Sequence, residues 1–192
     1  KYADAGLDLQ RAAREMHATT IVTGHFLKQG GELQLTLEAV DAENNRLLWR
    51  DTLDTSSADI IAMQRAIVET TREGLAPALG QSPFVADAAS QPRNRDAYGL
   101  YLHSVALPAD PSPNSQAIAL LEKSVARDGN YAPAWRALAL RYYYNAHYSG
   151  GGTAAMIRSE AAAEQALALD PNFIPAETLL VGIRVERGEL AK

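Results

Sequence analysis

Residues 130–135 read NYAPAW, and residues 172–177 read NFIPAE. Each stretch follows an aspartate two residues earlier, Asp128 or Asp170. Between the two stretches lie two runs in which apolar residues recur with helical spacing, separated by the loop residues 149–152, SGGG. The pattern predicts a pair of helices that is repeated along the chain.

The composition of the 192 residues narrows the class of protein. An apolar content of 47% is sufficient for a packed core. The 18 basic residues are scattered among 23 acidic ones, which argues against a broad nucleic-acid surface. Cysteine is absent, so disulfides, thiolate metal sites and cysteine nucleophiles are excluded. No apolar run is long enough for a transmembrane helix. Because the chain begins with Lys1, we interpret it as a piece of a longer protein, with targeting information able to lie outside it.

The first part of the chain predicts a helix over residues 7–16 and then a three-stranded meander. The strands are expected at residues 19–28, 33–39 and 46–53, with glycines 30 and 31 in the first hairpin turn. Strict alternation places one apolar face on the middle strand, consisting of Leu33, Leu35, Leu37 and Ala39.

A helix over residues 57–76 is expected to cover this apolar face. Ser56 is its predicted N-cap, with Asp59 as a weaker capping-box partner, and Gly74 and Pro77 are predicted to end it. The proline-containing residues 80–93 are predicted to be a linker.

The remaining residues, 94–192, predict only helices. Their expected bounds are 95–107, 114–127, 132–146, 153–168 and 174–187, with the prolines at 108–113 breaking the first pair. We therefore predict an α+β chain with three parts: a small α/β domain at 1–79, a linker at 80–93 and about two and a half helical-hairpin repeats at 94–192.

The helical part resembles tetratricopeptide repeats, a family with a 34-residue helix-turn-helix period. The resemblance implies a register in which Trp135 is a core aromatic residue. The other matching positions are Leu138, Ala139, Tyr142, Ser159 and Ala166. The step from Pro133 to Pro175 is 42 residues, so about eight residues are expected as an inserted loop near 147–153.

Residues 7–79 resemble the small α/β domain that precedes tetratricopeptide arrays in bacterial Ser/Thr kinases, adenylate cyclases and winged-helix regulators. They are also similar to the N-terminal domain of the Tol translocation protein. The matching segments include residues 12–16 (AAREM), 21–24 (IVTG) and Leu48-Trp49. Such domains begin with a strand and a helix that this chain lacks, and the resemblance carries no catalytic residues.

The tetratricopeptide register predicts a groove for a protein partner on one helix. Its expected lining consists of Arg136, Leu140, Tyr143 and Tyr144, and tyrosine and arginine are favoured interface anchors. The alternative is that these side chains pack against the inserted loop.

No catalytic, metal or cofactor site is predicted. The four histidines, His17, His25, His103 and His147, have no metal-ligand spacing. The loop 149–153, SGGGT, lacks the lysine and preceding strand of a phosphate loop. The candidate acids are expected to be solvated, and none can be paired with a nucleophile: Glu15, Asp41, Glu43, Asp51 and Asp54.

Two functions remain open from sequence. The first is a non-enzymatic regulatory and protein-binding fragment of a larger bacterial signalling protein. The alternative is an α/β domain that senses a small molecule, with the repeats as a rigid spacer. The resemblance favours the bacterial cytoplasm, with a periplasmic or extracytoplasmic segment of a membrane-anchored parent as the alternative. An open last repeat also predicts exposed apolar surface around Leu179, Leu180 and Ile183. The alternatives are that the parent protein supplies a polar cap for this surface or that the fragment self-associates through it.

Overall fold

A computed structural model describes residues 9–56, 58–82 and 88–189 of the chain. Contacts divide the chain into two compact units, Lys1–Val85 and Ala86–Lys192. The first unit contains a three-stranded antiparallel sheet and helices, while the described part of the second contains helices only. The predicted α+β class is therefore confirmed.

The first unit is built on a meander with strand order β1-β2-β3. Helix α1 (Leu9–Met16) precedes the three strands, which are β1 (Thr20–Gln29), β2 (Glu32–Asp41) and β3 (Arg46–Ser56). Gly30 has φ +60° in the first turn, a conformation that glycine adopts without a steric penalty.

The apolar face of the sheet is covered unevenly. Ala39 on β2 is fully buried and lies opposite Val22 of β1 and Trp49 of β3. The helix that follows the sheet contacts β3. On β1, by contrast, Phe26 is 74% exposed and Val22 is 50% exposed. The apolar face therefore stays open along β1.

The covering helix starts three residues later and ends two residues later than the predicted bounds of 57–76. It runs as α2 (Ile60–Thr70), a π-helical turn (Thr71–Leu75) and α3 (Ala76–Ala78). The prediction that Gly74 and Pro77 end it is wrong for Gly74, which lies inside the π-helical turn, whereas Pro77 lies one residue before the end of α3. Within that turn Gly74 faces Trp49, and a Cβ at position 74 would lie 2.7 Å from the indole Nε1 atom.

The start of the covering helix is also capped differently. Asp59, not Ser56, is the N-cap residue, and its side chain accepts a hydrogen bond of 2.9 Å from the Ala62 amide. A carboxylate at this position satisfies one of the free amides of the first turn. The helix is terminated at Gly80, where φ is +70°.

The second unit is a series of helical hairpins. After a 3₁₀ turn (Ala88–Ser90), the helices are α4 (Arg95–Ala106), α5 (Pro111–Arg127), α6 (Ala132–Tyr148), α7 (Gly152–Leu169) and α8 (Ile174–Glu186). Each of these helices packs against the next one along the chain.

Small residues let the helices of each pair approach closely. Ser124 on α5 donates a hydrogen bond of 2.8 Å to the Ala97 carbonyl of α4. Ser159 on α7 donates one of 2.7 Å to the Ala139 carbonyl of α6. Both serines are buried, as is Ala166, and satisfied polar atoms at these positions stabilise the interior.

The expected inserted loop is not present as a loop. Helix α6 continues through Tyr148 and α7 starts at Gly152, so only residues 149–151 connect them. Gly150 has φ +75°, and the Gly151 amide donates to the Asn145 carbonyl at 3.0 Å. The prediction of an inserted loop at 147–153 is therefore wrong, because the extra residues lengthen both helices.

Trp135 is half-buried, so it is less buried than the core position that the resemblance implies. Its indole nitrogen donates a hydrogen bond of 2.9 Å to the Gly129 carbonyl in the turn before α6. The interior positions on this part of α6 are occupied instead by Ala134, Leu138 and Ala139, all of which are buried.

The exposed apolar face of α8 also differs from expectation. Leu180 and Ile183 are buried because α8 packs on α7 and α6, and Leu179 is half-buried. The exposed apolar residues of this helix are Ile174, Val181 and Val185. Self-association remains a prediction, but the residues proposed for it were wrong.

Candidate functional site

The four residues predicted to line a groove all lie on α6, within Ala132–Tyr148. They share one face of the helix, because steps of three and four residues return to the same side and Tyr144 is next to Tyr143. The four residues are Arg136, Leu140, Tyr143 and Tyr144. All four are half-buried, which leaves each side chain partly accessible. We call these four residues the α6 face.

Helix α8 contributes a carboxylate to the α6 face. The Tyr143 hydroxyl donates a hydrogen bond of 2.5 Å to Oε1 of Glu186, and Nε2 of His147 lies 3.1 Å from Oε2. The hydrogen bond to Glu186 is the main cause that raises the pKa of Tyr143 to about 12, followed by burial. One carboxylate thus fixes two α6 side chains that are one turn apart.

Aromatic rings continue along α6 towards its C-terminal end. The ring centroids of Tyr143 and Tyr144 are 6.1 Å apart, and those of Tyr144 and Tyr148 are 6.3 Å apart. The rings of Tyr143 and His147 are 4.4 Å apart. Tyr148 is exposed. Rigid amphipathic rings that are partly accessible form contact area at low entropic cost.

Three tyrosines near Arg136 were not predicted as part of a site. Tyr98 and Tyr101 on α4 stack with centroids 5.9 Å apart, and Tyr131 meets both rings edge-on. Burial raises the pKa of Tyr101, and the positive charge of Arg136 acts in the opposite direction. The spacing of Tyr98 and Tyr101 on one helix face was a signal that could have indicated the cluster. Glu186 had no comparable signal.

Two neighbouring residues on α6 have structural roles instead. Arg141 is buried, and its guanidinium binds carbonyl oxygens at the C-terminal end of α4. The Tyr142 ring is also buried, as predicted, and its hydroxyl donates a hydrogen bond of 2.6 Å to Glu122. The Arg158 guanidinium lies 4.1 Å from the centre of the Tyr142 ring. These contacts join α5, α6 and α7.

Three of the candidate acids of the first unit accept local hydrogen bonds. Asp41 accepts hydrogen bonds from the backbone and side chain of Asn44, and these lower the pKa of its carboxyl. Asp54 accepts one of 2.9 Å from Gln34, and Asp51 accepts one of 2.8 Å from the Thr52 amide. Asp41 therefore stabilises the turn between β2 and β3, as short acidic side chains commonly do.

Comparison of the chain with protein-family models and with curated proteins gives no match. Across residues 9–56, 58–82 and 88–189, no group of three or more His, Asp or Glu residues is arranged to hold a metal ion. Over the same residues, no helix combines the length and apolar character that crossing a membrane requires.

Proposed function

We propose that this chain is a non-enzymatic, protein-binding regulatory fragment of a larger bacterial signalling protein, and that the α6 face contacts the partner. The observation that carries the proposal is the accessibility of Arg136, Tyr143 and Tyr144 along one helix face. Arginine and tyrosine in partly desolvated positions are the residue types that dominate protein interfaces.

The proposal treats the second unit as a tetratricopeptide-repeat array. It is supported by small residues at equivalent positions before the two turn aspartates. Ala117 and Ser124 lie 11 and 4 residues before Asp128. Ser159 and Ala166 lie 11 and 4 residues before Asp170. All four small residues are buried. In the same proposal the bacterial cytoplasm is the favoured compartment.

A pull-down with the purified chain as bait tests the α6 face. We expect Arg136→Ala and Tyr143→Ala each to reduce partner recovery severalfold, because truncating an interface anchor commonly costs more than about 1 kcal/mol. Lys123→Ala, at an exposed site on α5, is the matched control and should leave recovery unchanged. Equal recovery by all three variants would refute the α6 face as the partner site.

A second candidate function is a small-molecule sensor in the first unit. A cavity of about 450 Å³ lies beside α1 and the turn after β2, lined by residues that include Gln10, Arg14, His17 and Glu43. His17 has φ +53°, an uncommon conformation for a residue other than glycine. Convergent polar groups in a cavity of this size favour a small polar ligand.

Thermal shift against a metabolite panel tests the sensor function. A compound present at 100 times its Kd should stabilise the chain by about 2.7 kcal/mol. The shift should be lost in Arg14→Ala and retained in Arg127→Ala, whose side chain lies on the second unit. A panel without any shift, or a shift that both variants retain, would count against this candidate.

A further inference from the structure

Strand β1 forms an edge of the sheet, because β2 is its only neighbouring strand in the part of the chain that the structure describes. Alternate residues of an edge strand point their amide and carbonyl groups away from the sheet, where another strand can bind them. Natural edge strands usually block such pairing with charged residues, prolines or bulges. Strand β1 has no proline, and Lys28 is its only Lys, Arg, Asp or Glu. The irregularity in the sheet register lies between β2 and β3. The edge at β1 therefore stays open to pairing.

The two edges of the sheet differ in side chains as well. The opposite edge, β3, carries four charged side chains, and the covering helix contacts it. On β1, three large apolar side chains are exposed: Val22, Phe26 and Leu27. Because side chains alternate along a strand, Val22 and Phe26 lie on one face and Leu27 lies on the other. A strand that pairs with β1 must therefore offer apolar side chains on both of its faces.

The sequence of β1 itself meets this requirement. When two antiparallel β1 strands meet about Gly24, Val22 lies opposite Phe26 of the second copy on one face. On the other face, Ile21 lies opposite Leu27 of the second copy. Cross-strand pairs of aromatic and β-branched side chains stabilise a sheet. One register thus pairs apolar side chains on both faces of the same strand.

The neighbouring symmetric registers do not give this match. With the two-fold axis at Thr23, Phe26 lies opposite Thr20 of the second copy. With the axis at His25, Phe26 lies opposite Gly24. A glycine inside a strand also often marks a place where another backbone approaches closely. The residues of β1 therefore favour a two-fold axis at Gly24.

We propose that two copies of the chain pair edge to edge through β1, as antiparallel strands related by a two-fold axis at Gly24. The two three-stranded sheets then form one six-stranded sheet. A contact in which both copies use the same surface closes at two copies. The inference concerns the first unit and goes beyond the proposed function, because it does not involve the α6 face.

The size of the contact predicts a reversible dimer. Strand β1 has ten residues and is about 33 Å long, so two copies can exchange about ten backbone hydrogen bonds. That is the number found in a typical interface of about 1,600 Å². A strip about 33 Å long and about 10 Å deep covers on the order of 350 Å² on each copy, which is less than the area of a permanent interface. The dimer should therefore dissociate on dilution.

Sedimentation equilibrium of the full chain, from about 5 µM to about 1 mM, tests the dimer. We expect the weight-average mass to rise with concentration from 20.7 kDa towards twice that value. Val22→Lys should raise the Kd of dimerisation by about tenfold or more, because two-fold symmetry places both substituted side chains in the interface. Val22 is 50% exposed, so folding of this variant should persist. Val181→Lys, on α8, changes a valine that is 55% exposed and should leave the Kd unchanged.

Cysteine crosslinking tests the register. The chain has no cysteine, so introduced thiols are the only ones present. A mixture of Val22→Cys and Phe26→Cys should form a disulfide-linked dimer under mild oxidation, because Cα atoms of directly opposite residues are about 4.5–5.5 Å apart. Either variant alone should stay largely uncrosslinked. Its two thiols lie four residues apart along the paired strands, or about 13 Å, which is too far for a disulfide.

Three results would overturn the inference. A monomer at all concentrations up to about 1 mM would leave the β1 edge to a strand from elsewhere. A dimer that Val181→Lys abolishes and Val22→Lys retains would place self-association on α8. Crosslinking of either single-cysteine variant as efficiently as the mixture would refute the register about Gly24.

Discussion

Replacing Arg141 by methionine is predicted to destabilise the helical unit strongly. The Arg141 guanidinium donates to three carbonyl oxygens near the end of α4: Ser104 at 2.9 Å, Leu107 at 2.6 Å and Pro108 at 2.8 Å. A hydrogen bond to a charged group contributes about 1.5–3 kcal/mol, so the three together contribute about 4.5–9 kcal/mol before other terms. Methionine has a similar length but no donor, and it leaves these carbonyls without this partner.

Part of that loss is offset because the variant no longer buries a charge. Burial lowers the pKa of Arg141, which reflects the cost of removing the guanidinium from water. Desolvation of a buried ion costs several kcal/mol. The expected net loss in the free energy of unfolding is therefore about 3–4 kcal/mol. For a unit of about 107 residues, Ala86–Lys192, each kcal/mol lowers the Tm by about 4 °C, so the helical transition should fall by about 12–16 °C.

Urea unfolding measures this loss directly. In a Trp49→Phe background, Trp135 fluorescence reports on the helical unit, since no other tryptophan is present. Arg127→Met removes an exposed arginine from the last turn of α5 and is the matched control, with an expected loss of a few tenths of a kcal/mol. A loss below about 1 kcal/mol for Arg141→Met would refute a structural role for the guanidinium.

Three further predictions concern individual contacts. Gly74→Ala should lower the free energy of unfolding by about 1–2 kcal/mol, because a Cβ would collide with the Trp49 indole. Gly182→Ala has open space on α8 and should raise the free energy of unfolding by up to about 1 kcal/mol. Equal losses for the two variants in urea unfolding would contradict this. Trp135→Ala should lower the free energy of unfolding by about 2 kcal/mol, which is less than for a fully buried tryptophan. A loss above about 4 kcal/mol would mean that the Trp135 ring belongs to the core. The hydrogen bond from the Tyr143 hydroxyl to Glu186 raises the folded-state pKa of Tyr143 to about 12. The stability that this protonated hydroxyl contributes should therefore be complete below about pH 10 and be lost as pH rises towards 12. In Tyr143→Phe this alkaline loss should be smaller, and identical pH profiles of unfolding would contradict the assignment.

The helix and strand positions were largely predictable from sequence. Regular apolar spacing and prolines at helix starts locate α5, α6 and α8 to within about three residues, and alternation on β2 locates the sheet. These signals are local, so one sequence contains them. The π-helical turn at Thr71–Leu75 was missed because Gly74 and Pro77 ordinarily indicate a helix end. Within this turn Gly74 lies against Trp49, which is on a different element, so no local pattern marks the contact.

The candidate site was predictable only in part. The α6 face follows from helical spacing on a single helix, which is why Arg136, Leu140, Tyr143 and Tyr144 lie together. The contact between Tyr143 and Glu186 joins residues 43 positions apart, and no local pattern encodes it. Residues 147–153 were predicted as an inserted loop because glycine-rich runs usually are loops, whereas α6 and α7 extend into them.

Photo-crosslinking from position 144 tests the central claim that the α6 face contacts a protein partner. Tyr144 is replaced by p-benzoyl-phenylalanine in the full-length protein in its native host cells, and the same residue at Lys123 on α5 is the control. We predict a discrete crosslinked species from position 144 that Arg136→Ala reduces, and none from position 123. No crosslinked protein from position 144, or the same species from both positions, would contradict the account.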